Sequence, residues 1–402
     1  MIPRLNISFP LKRQWCYWFG KQYEPREGEY LLNHARTGIV MALRAALPKG
    51  GRVGVVAYNC HTVANAVVNA GCVPFFVDVT EDLRINVESV PVDLDAIVVT
   101  NLFGIRNDVE PIRKRCPGAV VIVDNAHGYG LPVEGDFTVY SINQGKFPAL
   151  GCGGILVVSQ KLPTIDPKEE NSENIGENNK NNNDYLTKKE ESEPIGISAN
   201  NLDPKSAQKQ AFGQPSAQSC SVTLADSSEK NSQKISKNII EAIEEQYTEL
   251  PSYSKLGEIK LFCSMLIKAI AYSRWCYWLV MKLKKSANPD VHEAVTMKKM
   301  AKGVRRLYQA WLPKAEAEIE MQRQNAAKID GAFYGDNAFM AIVRTDEPVA
   351  LKAEYAAKGV ETETHFKNAI TWTEQFGYRR GFCPKADELT KKLLMIPTYR
   401  AI

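Results

Sequence analysis

The chain has 402 residues, of which 44% are hydrophobic and 24% charged, so it can bury a sizeable core in about two or three domains. Its formal net charge of +4 is small for this length, which argues against a dedicated nucleic-acid-binding protein. The nine cysteines form no C-x-x-C pair and no zinc-like cluster with histidine, so we expect reduced thiols in a cytoplasmic protein and no metal site.

Residues 1–30 are interpreted as an N-terminal segment. Its start, Met1 to Arg13, has no long apolar stretch, so we expect no secretory signal, and no apolar run approaches the roughly 20 residues of a membrane helix. From residue 31 to 162, short Val- and Ile-rich runs alternate with helical patterns. Continuous apolar runs of this kind indicate strands buried on both faces, and hence an α/β large domain with a mostly parallel sheet. We predict helices over 38–47 and 62–69 and strands over 52–57, 73–79, 96–101, 119–124, 137–142 and 154–158.

The composition changes sharply after this domain. Residues 163–237 are rich in Asn, Ser, Lys, Glu and Gln, and their few apolar residues follow no period. Such a segment cannot bury enough surface to offset its ordering entropy. We therefore predict a disordered low-complexity insertion within the folded protein, with a neutral expansion as the default role.

The remainder of the chain is predicted to be helical and then mixed. Residues 238–330 are interpreted as the helical remainder of the large domain and a connector, with helices over 256–285 and 297–328. Residues 331–402 are interpreted as a small C-terminal α+β domain, with a strand over 339–344 and a helix over 349–358.

Polar side chains follow three of the predicted strands, at the strand ends where ligands usually bind in parallel sheets: Asn101, Asp124 and Ser141. Lys146 lies in the glycine-rich loop after the last of these. A lysine amine in a partly desolvated pocket can attack a carbonyl carbon. A lone lysine is more often a surface residue, and His127 alone is as often a local structural histidine. The presence of Asp124 at a nearby strand end favours a functional site that includes both Lys146 and His127.

These residues also carry a resemblance. The matching motifs occur in order along the chain: Arg36-Thr37-Gly38, Ala70 to Val79, Asn101 to Gly104, Asp124-Asn-Ala-His127, Ser141 five residues before Lys146, Lys358-Gly-Val with His365, Cys383 to Ala386, and Ile396 to Tyr399. Together they resemble the DegT-like sugar aminotransferases, a family of fold-type-I enzymes that use pyridoxal 5′-phosphate (PLP). The resemblance implies a fold-type-I PLP-transferase large domain with a small C-terminal domain.

The resemblance also implies roles for individual residues. Lys146 would be the Schiff-base lysine and proton shuttle, Asp124 the partner of the pyridine nitrogen, and His127 a contact to the cofactor ring or its phenolic oxygen. The remaining candidates are phosphate-binding Arg36, Thr37, Gly38 and Ser141, a ring-stacking residue at His61 or Cys60, and substrate-binding Asn101 and His365.

By the same resemblance, an amino acid such as glutamate would donate the amine, and a keto-sugar, normally nucleotide-linked, would accept it for surface-polysaccharide or amino-sugar synthesis. A homodimer is expected by analogy, and no nucleic-acid partner. Two alternatives stay open. One is a sugar dehydratase of the same family, against which Lys146 argues because those members typically carry histidine there. The other is a non-catalytic relative with a regulatory or scaffolding role.

The string Trp-Cys-Tyr-Trp occurs twice, at 15–18 and 275–278, and basic residues flank both copies. This pattern suits either packing in the core or a dimer interface, or contact with an anionic membrane surface. Of these, packing in the core or an interface is the favoured interpretation, with peripheral membrane contact as the alternative.

Overall fold

The computed structural model of the protein describes residues 14–159, 236–273, 276, 291–364, 366 and 368–400. The predicted insertion lies outside these residues, except that 236 and 237 begin a helix. Within the described part of the chain, no helix is both long and apolar enough to cross a lipid bilayer.

The large domain alternates strands and helices in its first half. Predicted and observed strands agree to within two residues at each end, because Val and Ile dominate the buried runs. The elements are α1 (Gln14–Phe19), β1 (Glu29–Leu32), α2 (Ala35–Ala46), β2 (Arg52–Val56), α3 (His61–Asn69), β3 (Val73–Val77), β4 (Ala96–Thr100), α4 (Val109–Arg115), β5 (Val120–Asn125), β6 (Phe137–Ser141) and β7 (Gly154–Val158).

These strands form one seven-stranded sheet in the order β1-β7-β6-β5-β4-β2-β3. The neighbours among β2 to β6 pair in parallel, whereas β7 is antiparallel to both β6 and β1. The expectation of a mostly parallel sheet is therefore confirmed. Strands β4, β5 and β6 are buried along their whole length, as continuous apolar runs predict.

The second half begins with a helix over residues 236–249, α5, which the sequence did not single out. The helix predicted over 256–285 is present as far as Ala271, and most of its remaining length lies outside the described residues. The further elements are α6 (Lys255–Ala271), α7 (Lys302–Trp311), α8 (Ala315–Ala326), β8 (Met340–Arg344), α9 (Pro348–Ala357), α10 (Ala369–Glu374), α11 (Pro384–Lys392) and β9 (Leu393–Pro397).

The C-terminal region has a sheet of its own, in which β8 pairs with β9 in antiparallel fashion. Side chains of this sheet, among them Met340 and Met395, join the same hydrophobic core as the seven-stranded sheet. The α+β character of residues 331–402 thus agrees with expectation, whereas the division of the chain into domains stays a prediction.

Candidate active site

A cavity of about 210 Å³ opens where the parallel strands end. Six residues that the sequence singled out line it: Arg36, Cys60, Asp124, His127, Ser141 and Lys146. Adjacent strands β5 and β6 pair in parallel with Asp124 opposite Val139, so both strands end at the same edge of the sheet. This register explains why residues that follow two different strands meet around one cavity.

Lys146 and His127 are in direct contact within this cavity. The Lys146 Nζ lies 2.6 Å from the His127 Nε2. On the other side of the ring, the backbone N–H of Phe103 donates to Nδ1 at 3.2 Å. The imidazole is buried and stacks with the rings of Phe103 and Phe339, at centroid distances of 5.2 and 5.1 Å. Its orientation is therefore fixed by packing as well as by hydrogen bonds.

The hydrogen bond from Phe103 decides the protonation of this pair. Because Nδ1 accepts a hydrogen, a neutral His127 carries its own proton on Nε2 and donates it towards Lys146. Nζ must then offer a lone pair. An uncharged amine is the form of lysine that attacks a carbonyl carbon.

Asp124 is buried at the end of β5 and is held by two neighbours. Its Oδ1 accepts the backbone N–H of Ala126 at 2.9 Å, and its Oδ2 faces the hydroxyl of Thr100 at 3.4 Å. The Asn59 amide donates to that hydroxyl at 2.9 Å, so a chain of hydrogen bonds leads to the carboxylate. Burial raises the pKa of Asp124, against the opposing effects of its hydrogen bonds from Ala126 and Thr100. A cationic partner in the cavity would relieve this cost.

Basic and donor groups gather where α2 begins. The Nε of Arg36 is buried and has no hydrogen-bond partner among the described residues, and Ser141 lines the cavity beside it. Burial, together with the charge of Arg36, lowers the pKa of His34 to about 4, so this imidazole is neutral near pH 7. Unsatisfied donors at a helix N-terminus are suited to an anionic group such as a phosphate.

The start of α2 lies against β7 so closely that only glycine fits. A Cβ on Gly154 would overlap the backbone of His34 and Ala35. At Gly154, the group that approaches closely is therefore the protein's own backbone.

Two predicted phosphate-binding residues do not line the cavity. The Thr37 hydroxyl donates to Asn33 Oδ1 at 2.9 Å and is fully buried. Gly38 faces the sheet, where an added Cβ would lie 2.9 Å from a methyl carbon of Val139. Because α2 begins at Ala35 rather than at the predicted residue 38, both residues point into the core instead.

Two other predicted residues also fall outside the cavity lining. Asn101 is buried and bonded to the side chains of Asn125 and Asn107, which makes it a structural residue of the strand end. His61 begins α3, packs edge-on against Trp372 at 4.9 Å, and leaves Nδ1 buried without a partner among the described residues. His365 lies outside the described residues.

The cavity contains residues that the sequence analysis did not assign to the cofactor site: His34, Asn59, Thr62 and Asn143. Asn59 follows β2 and Asn143 follows β6, so the rule that pointed to Asn101 and Ser141 was also able to find them. Cys60, an alternative for the stacking position, lines the cavity as well, whereas His61 does not.

The thiol of Cys60 is activated by its surroundings. Burial disfavours its thiolate, but a hydrogen bond from His61 and the positive charge that Lys146 carries when protonated outweigh burial and lower its pKa to about 7. The Thr62 hydroxyl also donates to the sulfur at 3.2 Å. A thiol of this kind is a nucleophile near neutral pH.

Comparison with known proteins agrees with this geometry. The model of the DegT/DnrJ/EryC1/StrS aminotransferase family matches residues 31–203, which include every cavity residue named above. No curated protein sequence matches the chain.

Several solved structures share the fold. The sugar aminotransferase CalS13 from Micromonospora echinospora is 13% identical, with a TM-score of 0.58 over 99% of this chain and 95% of that one. Spr1654 from Streptococcus pneumoniae in its PLP form is 12% identical (TM-score 0.57, 98% and 92% covered). DesI, solved in the presence of its TDP-sugar product, is 15% identical (TM-score 0.53, 92% and 75% covered).

At these identities the structural likeness establishes the fold, which is fold type I, and the family model adds a sequence match over residues 31–203. The donors in the cavity fit the cofactor of that family: a carboxylate for a protonated ring nitrogen, an amine for an aldehyde, and unpaired donors for a phosphate. Over residues 31–203, the chain is similar to the DegT/DnrJ/EryC1/StrS aminotransferase family, whose enzymes depend on PLP.

Proposed function

We propose that the protein transfers an amino group from an amino acid, glutamate by preference, to a keto-sugar carried on a nucleotide. The observation that carries this proposal is the 2.6 Å contact between Lys146 Nζ and His127 Nε2, in a cavity that Asp124 also lines. DesI, which shares the fold, was solved with a TDP-sugar product, and this supports a nucleotide-linked acceptor.

The roles of the residues follow from their contacts. Asp124 would pair with the ring nitrogen of PLP, Lys146 would attach the aldehyde, and Arg36 with Ser141 would hold the phosphate. When bound, PLP supplies the electron sink that lets a proton leave the α-carbon of an amino acid. Lys146, uncharged and within the cavity, is the base that accepts this proton and later returns it.

His127 holds that base in place. Its Nε2–H points at Nζ and keeps the amine directed into the cavity, because Phe103 and the neighbouring rings prevent the imidazole from turning. The chain Asn59–Thr100–Asp124 likewise holds the carboxylate in one orientation. Transamination needs both groups in register with one flat ring, so fixed orientations favour it.

The first test is attachment of PLP to Lys146. The purified protein is incubated with PLP, reduced with borohydride and digested, and the labelled peptide is identified by mass spectrometry. We expect the label on Lys146, loss of the visible absorbance in Lys146→Ala, and no change in Lys114→Ala, whose side chain is exposed. A label spread over surface lysines would contradict the proposal.

The second test separates catalysis from mere binding. Glutamate alone should convert bound PLP to its amine form, and a nucleotide-linked keto-sugar should then restore it while gaining nitrogen from labelled glutamate. A protein that binds PLP at Lys146 but gives neither half-reaction with any amino donor would be the non-catalytic relative instead. A homodimer also remains a prediction, which light scattering of the pure protein tests.

A further inference from the structure

Helix α6 carries an apolar stripe on its outer surface. Leu256, Ile259, Ile267 and Ile270 are all exposed, Ile267 to 66%. Their spacing, together with exposed Cys263 between them, places them along one side of the helix. Contiguous apolar surface of this kind marks a binding site more often than a bare solvent face.

The charges of α6 are divided between its two sides. Its single acidic residue, Glu258, is turned inward, where it accepts the Tyr17 hydroxyl at 2.8 Å and the backbone N–H of Lys302 at 2.7 Å. Its lysines, at positions 255, 260 and 268, are exposed. Within Lys255–Ala271 the solvent face therefore carries aliphatic side chains, the thiol of Cys263 and positive charge, and the one acidic side chain is turned inward.

Helix α1 adds aromatic side chains to the same region. Tyr17 and Trp18 pack against Phe262 of α6 at ring distances of 5.1 and 5.3 Å. Trp15 and Phe19 remain 67% and 69% exposed and contact each other at 5.4 Å. The first Trp-Cys-Tyr-Trp string is thus split. Tyr17 fulfils the core interpretation, whereas Trp15 is left facing solvent.

We propose that this α1/α6 surface, made of Trp15, Phe19 and the exposed side of α6, docks the protein on an anionic lipid surface. Lysine is depleted in protein–protein interfaces, which disfavours a second copy of the chain as the occupant. Lysines beside an aliphatic and aromatic face are what a helix lying in an anionic bilayer interface requires. In the sequence after α6, Trp275 to Trp278 and then three lysines up to Lys285 continue this composition.

The proposal is independent of the proposed function, because none of these residues lines the cavity at the strand ends. Docking would hold an enzyme whose proposed substrates are soluble beside the membrane where surface polysaccharides are assembled. Transamination in solution therefore serves as a control for folding, and not as a readout of docking.

The test is flotation of the full chain with vesicles. Vesicles of phosphatidylglycerol mixed with phosphatidylcholine should carry the protein upward, pure phosphatidylcholine vesicles should carry much less, and added salt should weaken the effect. Since one basic residue near such a surface contributes about fivefold in partitioning, replacing Lys255, Lys260 and Lys268 by glutamine should weaken binding on the order of 100-fold. The matched control replaces the exposed Lys114, Lys328 and Lys391 and should bind as the wild type does.

The apolar half of the surface is tested separately. Ile267→Asn and Ile270→Asn should each lower binding about tenfold while leaving unfolding and transamination unchanged, because both side chains are exposed in the folded chain. Absence of flotation with the anionic vesicles, or equal flotation with neutral ones, would overturn the proposal. So would a dimer that Ile267→Asn converts to monomers, since a second copy would then be the occupant.

Discussion

His127 makes two different contacts through its two ring nitrogens, and two substitutions can separate them. Asparagine places its amide oxygen near the position of Nδ1 and has nothing at Nε2. Glutamine places its amide group near Nε2 and has nothing at Nδ1. His127→Asn should therefore keep the contact to the Phe103 N–H and lose the one to Lys146, and His127→Gln should do the reverse.

The expected cost in stability follows from these contacts. Both variants lose stacking of the imidazole with Phe103 and Phe339, worth about 0.5–1.5 kcal/mol for each ring pair. His127→Gln in addition leaves the buried N–H of Phe103 unpaired, which costs about 1–3 kcal/mol. The free energy of unfolding should therefore fall further in His127→Gln, by that amount less the about 0.5–1.5 kcal/mol that His127→Asn loses with its contact to Lys146.

The expected effect on PLP attachment has the opposite order. The contact to Lys146 is worth about 0.5–1.5 kcal/mol, so losing it in His127→Asn should slow attachment about 3- to 10-fold. His127→Gln still offers a hydrogen-bonding group to Nζ and should stay closer to the wild type. Glutamine would thus be the less stable but more reactive replacement.

Urea unfolding of the cofactor-free protein measures the first quantity, and the rate of visible absorbance change after PLP addition measures the second. The two rankings must be opposite. If His127→Asn were inferior in both assays, or superior in both, the two nitrogens would not have the separate roles assigned to them, and the inference of an uncharged Lys146 would fall with them.

Three further predictions follow from individual contacts. Asp124→Asn should weaken PLP binding by about 1.5–3 kcal/mol, because a charge-assisted bond to the ring nitrogen is lost. Asn59→Ala should weaken PLP binding less, because it removes only the hydrogen bond that holds the Thr100 hydroxyl. Equilibrium dialysis measures both affinities, and equal losses would refute the role of the Asn59–Thr100–Asp124 hydrogen-bond chain. The rate at which iodoacetamide alkylates Cys60 should rise with pH and reach half its plateau near pH 7. Alkylation at this position should be absent in Cys60→Ser and slowed by bound PLP. A midpoint near pH 8.5, the pKa of an ordinary thiol, would show that the Cys60 thiol is not activated. Gly303→Ala should lower the free energy of unfolding by about 1–3 kcal/mol, because the added Cβ would overlap the buried ring of Tyr17. Urea unfolding measures this loss, and an unchanged unfolding midpoint would show that α1 is free to shift.

The sequence predicted the strands that build the sheet and the residues at two of their ends. Continuous Val and Ile runs mark strands buried on both faces; Asp124 lies at the end of one such strand, and Lys146 lies in the loop that follows another. The edge strand β1, of four residues, and β9, which ends at Pro397, were missed because short apolar runs next to proline are not distinctive. Their partners lie far away in the chain, so only tertiary pairing makes them strands.

The start of α2 shows why the phosphate-binding residues were harder to place. The sequence favoured residue 38 as the first helical residue because Thr37, a common N-cap residue, directly precedes it. The observed N-cap, His34, makes no side-chain cap. The helix in fact begins at Ala35. Three residues are most of a helical turn, so the shift leaves Arg36 at the cavity and turns Thr37 towards Asn33.

The two groups of site residues therefore depend on different contacts. Asp124 lies at the end of β5 and Lys146 in the loop after β6, and these two strands are neighbours in the sheet and close in sequence. Arg36 is delivered by α2, whose start is held by the backbone of β7 at Gly154, more than a hundred residues away. A substitution that disturbs the contact between Gly154 and the start of α2 should therefore displace Arg36 while leaving the amine of Lys146 in place.

Gly154→Ala tests this separation, with Gly118→Ala as the control, since an added Cβ at Gly118 meets nothing within 4 Å. The overlap with His34 and Ala35 should cost about 1–3 kcal/mol in unfolding free energy and displace the start of α2. The decisive readout compares PLP with pyridoxal, which has the aldehyde but no phosphate. Gly154→Ala should lose most of the preference for PLP while still attaching pyridoxal. If a folded Gly154→Ala protein kept the wild-type preference, the phosphate would be held by groups other than Arg36 and the first turn of α2.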